Sequence, residues 1–175
     1  TKKMKKGPTQ TGELARQQSV DRLDAIFSSV GQKLREGYSS QAEKILLQAI
    51  GNKKHTPDNY AHLKRLLSFT LETAGRYSES LEAVRPFEAE ENLRELSIET
   101  QVQVITQLAI AYNNCNEQPK AVTLLKETLK KAEDNSLRHL AGSIDIALAR
   151  EYRKLSQNPI SRDFAHKALS HFRER

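Results

Sequence analysis

Five histidines, His55, His62, His139, His166 and His171, and a single cysteine, Cys115, are the side chains in this 175-residue sequence best suited to ligating a metal or supplying a nucleophile. Such chemistry needs spacing. A zinc-binding pair on a helix stands four residues apart, whereas His166 and His171 are five apart and the others are scattered. Cys115 has neither a second cysteine for a disulfide nor the Cys and His partners of a zinc site. The seven glycines form no phosphate-cradling loop and no nucleophile elbow. Tyr112 beside Cys115 reads as packing followed by a helix end. The expectation is a non-catalytic chain with no metal and no cofactor. A lone cysteine fits a reducing compartment, so the cytoplasm is the expected location.

The elements that carry these side chains must be helical. Apolar residues make up 37% of the chain and charged residues 29%, Trp is absent, and Gly and Pro are scarce. No apolar run approaches the ~20 residues that span a bilayer, so no membrane partner is expected. The opening TKKMKKGPTQTGE is basic but lacks the apolar stretch of a signal peptide. A start at Thr1 rather than Met suggests a processed product or a piece of a larger protein. Residues 1–15 are expected to form a disordered basic tail and residues 16–175 a helical domain.

Net charge is +6, but Lys2, Lys3, Lys5 and Lys6 sit in the tail and leave +2 without them. Charge is polarised along the rest. Residues 79–99 hold seven Glu against Arg85 and Arg94, while the basic end carries Arg150, Arg153, Lys154, Arg162, Lys167, Arg173 and Arg175 against Glu151, Asp163 and Glu174. Such an end could neutralise phosphates, yet only 6% of residues are aromatic and no base-stacking platform is apparent. Nucleic acid is the subordinate reading. A charged end also keeps a terminal element in solution.

Thr56-Pro57-Asp58, Gln118-Pro119 and Asn158-Pro159 place helix starts after short polar breaks. The breaks fall at 36–39, 74–77, 113–116 and 154–157, with longer joints near 51–57, 88–97 and 133–137. Eight helices in four hairpins follow, with the fourth helix kinked or ended by Pro86. Apolar residues such as Leu23, Ile26, Phe27, Val30 and Leu34 keep the helical period, which alone would allow an ordinary bundle.

A repeat narrows the choice. LAIAY at Leu108 to Tyr112 returns as LAREY at Leu148 to Tyr152. Superposed hairpins align Gly31, Ser68, Ala109 and Ala149 on the first helix with Ala42, Ser80, Ala121 and Ser161 on the second, small residues that let paired helices approach. This resembles the tetratricopeptide repeat, large-x2-Leu-Gly-x2-Tyr and then Ala-x3-Phe, across roughly residues 20–173. The resemblance implies an all-α, right-handed α-solenoid of four helix-turn-helix repeats, approximately 16–53, 56–92, 96–134 and 136–173. Armadillo or HEAT-like stacking would share the same physics. Departures are a pitch near 40 residues, as in kinesin light chains and bacterial peptide-sensing regulators, and Lys64 and Asp145 where a large apolar residue is usual.

In the resembled family one stripe of the first helices lines a concave groove. Here it comprises Ser28, Gln32 and Arg35; His62, Arg65, Phe69 and Glu72; Gln103, Thr106, Ile110 and Asn113; Ser143, Ile146, Arg150 and Arg153. Two readings stand: an ordinary solvated face with Ile110 and Ile146 in the core, or a peptide groove. In the second, arginine forks would hold carboxylates, Asn113 would pair with a peptide backbone, and Phe69, Ile110 and Ile146 would offer pockets. The expected role is an interaction scaffold, adaptor or sensor for a protein or peptide partner, an acidic one among the options, with self-association through the solenoid ends a further option. A chaperone C-terminus is not expected, because the family's Lys and Asn clamp does not recur.

Overall fold

The computed structural model describes residues 10–52, 54–154 and 158–173. Among them the chain forms nine α-helices and no strand: α1 (Gln10–Arg35), α2 (Ser39–Gly51), α3 (Pro57–Thr73), α4 (Tyr77–Val84), α5 (Glu90–Leu93), α6 (Ile98–Asn114), α7 (Gln118–Asp134), α8 (Arg138–Lys154) and α9 (Asn158–Arg173). The hairpins are α1–α2, α3–α4, α6–α7 and α8–α9, each packed on the next. Helix α1 begins at Gln10, so residues 10–15, placed in the tail by composition, are helical here. Residues 1–9 and the break at 155–157 lie outside the described residues.

The helix ends follow from residue types. Gly37 and Gly75 have φ of +83° and +74°, values an L side chain rarely adopts. They let Tyr38 N–H reach Lys33 O at 2.8 Å and Arg76 N–H reach Leu71 O at 2.9 Å, which closes the preceding helix. Asn116 makes the same closure at φ 64°, with Glu117 N–H donating to Tyr112 O, and Ser136 repeats it at φ 58°, with Leu137 N–H donating to Ala132 O. Thr56 caps α3 by accepting from Asn59 N–H at 3.2 Å. Pro86 ends α4 as expected: the helix stops at Val84 and a 3-10 turn, Arg85–Glu88, follows.

The short α5 was not anticipated. It lies in the polar joint between the second and third hairpins, and a side chain from the next helix holds it. Gln101, 8% exposed, donates through Nε2 to Leu93 O at 2.9 Å and Leu96 O at 3.0 Å, and its Oε1 accepts from Lys131 Nζ at 2.8 Å. Gln101→Ala should therefore strip the Leu96 carbonyl of its donor, leave Leu93 O with the Leu96 N–H alone, and destabilise the protein by roughly 1–2 kcal/mol. Urea unfolding would detect this, and faster proteolysis within 85–96 would locate it. A midpoint equal to wild type would mean that the connector is held by packing alone.

The small residues meet as expected in the middle hairpins. Ser68 and Ser80 are fully buried with their hydroxyls 2.9 Å apart, and Ser80 Oγ also donates to Ser68 O at 2.7 Å. Ala109 and Ala121 likewise have no exposed surface. Gly31 departs from the expectation: it is half-buried, and an added Cβ would meet only the Arg35 guanidinium at 3.3 Å. Val30 and Ala42, both fully buried, fill that hairpin instead.

Among the described residues the apolar core has two bodies. One joins Leu23, Val30, Leu46, Leu63, Leu67 and Leu71, and the other joins α4 with α6, α7 and α8 around Leu108, Leu125, Ile144 and Leu148. Between them runs a polar seam, in which Gln107 Nε2 donates to Ser68 Oγ at 3.2 Å and to Glu72 Oε2 at 3.1 Å.

Candidate functional site: the face of the first helices

The first helices of successive hairpins lie side by side, and their polar contacts give the register. Ser97 N–H donates to Asp58 Oδ1 at 2.9 Å, Thr100 Oγ1 lies 3.4 Å from His62 Nε2, and Gln107 Nε2 reaches Ser68 Oγ. His139 Nε2 lies 3.6 Å from Glu99 Oε1. The first three pairs are separated by 39, 38 and 39 positions, and their numbers rise together along both helices. Helices α3 and α6 therefore run parallel, one repeat apart.

This register places the expected stripe on the face away from the core. Phe69 is 42% exposed and Ile146 38%, while Ile110 is half-buried and belongs to neither apolar body. The reading of Ile110 and Ile146 as core residues is set aside. His62, Arg65 and Gln103 come together around a recess of about 410 Å³, whose other walls are Phe27, Asp58, Ser97, Glu99 and Thr100. Arg35, Arg150 and Arg153 are exposed near the C-terminal ends of α1 and α8, away from this recess.

Chemistry inside the recess differs from an arginine cradle. Arg65 is the only guanidinium among the described residues that line it, and Asp58 and Glu99 bring two carboxylates that the stripe did not include. Both were within reach of the pattern: each lies one turn before a stripe residue, Asp58 before His62 and Glu99 before Gln103. Burial lowers the pKa of His62, the Arg65 charge lowers it further, and Asp58 and Glu99 oppose the shift. Burial also lowers the pKa of Arg65, whose Nε has no hydrogen-bond partner.

Other stripe residues are partly committed. Thr106 Oγ1 donates to Val102 O at 2.7 Å, and Glu72 is held by Gln107. Asn113 is half-buried, with Oδ1 shielded and unbonded. Tyr112 and Cys115 serve packing, as their spacing suggested. Tyr112 is 3% exposed and donates to Glu88 Oε2 at 2.5 Å, and the Cys115 thiol reaches Tyr77 O at 3.5 Å. No helix among the described residues is long and apolar enough to cross a membrane.

Solved structures show the same arrangement. BtubC (BKLC) from P. vanneervenii superposes with a TM-score of 0.59 at 15% identity, over 87% of this chain and 57% of that chain. MamA MSR-1 C2 superposes with a TM-score of 0.56 at 14% identity, over 87% of this chain and 78% of that one. The fold is a TPR-like α-solenoid. No family model and no curated relative matches the sequence. The TPR-like chain spans little more than half the length of the BtubC chain it matches. In TPR-like terms, the paired serines and alanines are the small positions of the repeat, and the recess lies between the first helices of neighbouring repeats.

Proposed function

We propose that this chain is a non-catalytic interaction scaffold, an adaptor or the sensing module of a larger regulator, that holds a segment of a partner protein along its first helices. The observation that carries the reading is the recess beside exposed Phe69, a polar cavity next to an apolar foothold on the face turned away from the core. Arg150 and Arg153 beside Ile146 supply a second foothold, suited to an acidic side chain or a terminal carboxylate.

A partner recovered by pull-down from the native cell would be titrated against variants, with melting curves as the folding control. Arg150→Glu with Arg153→Glu should weaken an acidic ligand about tenfold or more, and the wild-type affinity should fall as salt rises. Asn113→Ala should weaken binding without unfolding the chain. Unaltered affinity in every variant would move recognition off this face. Recovery of RNA that survives high salt would favour the nucleic-acid alternative.

A further inference from the structure

The last hairpin buries a group of ionisable side chains that the interaction surface does not use. Helix α9 seats on α8 through two rings. Phe164 stacks on Tyr152 with centroids 5.4 Å apart and planes 6° from parallel, and Phe172 lies where a Cβ on Gly142 would approach it to 3.1 Å. Between them is Asp145, on α8, with no exposed surface and neither carboxylate oxygen hydrogen-bonded. His171 Nε2 of α9 stands 3.8 Å from Asp145 Oδ2 and 3.8 Å from Glu133 Oε1 of α7, and its Nδ1 is buried without a partner.

We propose that this junction of α7, α8 and α9 is a proton-controlled fastening, which grips α9 in mild acid and eases as the pH rises to neutrality. The junction holds two carboxylates, one of them fully buried, and His171 and Lys167 of α9 face Asp145. A proton on Asp145 removes the buried charge, and the uncharged carboxyl lets α9 seat more tightly. Of the remaining neighbours, Glu151 is a second buried acid further along α8, and α6 presents Glu99 only at the far end, against His139.

The sign follows from linkage. Burial raises the Asp145 pKa to about 6, with His171 and Lys167 opposing the rise. The folded junction therefore holds a proton that the unfolded chain releases, between about pH 6 and the ordinary carboxylate range. Stability is gained as the pH falls through about 6 and lost as it rises.

Hydrogen exchange, corrected for intrinsic pH dependence, would be measured on the full chain at about pH 7.5 and 5.0. Protection in residues 158–173 should rise about tenfold at the lower pH in wild type. The larger part of the rise should be lost in Asp145→Asn and retained in Glu151→Gln, the second acid on α8 whose pKa burial raises. A wild-type protein whose α9 protection does not respond to pH would overturn the proposal, and that result needs no variant. An undiminished rise in Asp145→Asn, or its loss in Glu151→Gln, would overturn it equally.

Discussion

Leu108→Ala should destabilise the protein by about 2–5 kcal/mol, a large share of the stability of a chain this size. Leu108 has no exposed surface and sits in the larger apolar body, which draws side chains from α4, α6, α7 and α8. Truncation removes packing from several helices at once. Helices anchored on both sides cannot collapse into the void, which puts the cost toward the upper end of that range. Leu47, 50% exposed on α2, is the control, and Leu47→Ala should change stability by less than about 0.5 kcal/mol. Chemical denaturation of both proteins checks the claim. Similar midpoints would show that the third hairpin is not the centre of the core.

Ala121→Leu tests the opposite error, too much volume. Ala121 on α7 is fully buried in the same apolar body as Ala109 on α6, and the two helices of that hairpin pack directly against each other. Added methylenes must push the helices apart or take strained rotamers, at an expected cost of about 1–3 kcal/mol. Ala89→Leu, at an exposed position beside α5, should be tolerated. If the two variants unfold at the same denaturant concentration, the small-residue contact does not set the helix separation.

Much of this architecture was legible because it is written in local residue types. Gly37, Gly75 and Asn116 mark positive backbone angles, Pro86 marks a helix end, and the spacing of small residues marks the hairpin contacts. What was not legible depends on partners in the neighbouring repeat. Helix α5 is tied to α6 by Gln101, eight residues beyond Leu93, which donates to the Leu93 carbonyl, and no local pattern encodes that bond. Gly142 lacks a Cβ where the Phe172 ring comes close, a contact set by the packing of α9 on α8. Three stripe residues, His62, Arg65 and Gln103, line the recess, but the stripe stopped one turn short of its acids Asp58 and Glu99. Asp145 was visible as an anomaly, whereas its complete burial beside His171 could come only from the packing of three helices.

The polar seam beside Ser68 marks the boundary between two apolar bodies of unequal size. In stacked repeats, resistance to opening is a sum over neighbouring interfaces, and the interface with the least shared apolar surface yields first. Here the two apolar bodies meet at the hydrogen bonds of Ser68, Ser80, Gln107 and Glu72, with Ala83 of α4 packed in the N-terminal body and Ala61 of α3 in the other. Opening is therefore expected first at that boundary, with the third and fourth hairpins still closed. The recess lies across the same boundary, with Phe27 on one side and Ser97 to Gln103 on the other, so a segment bound there would splice the two bodies into one.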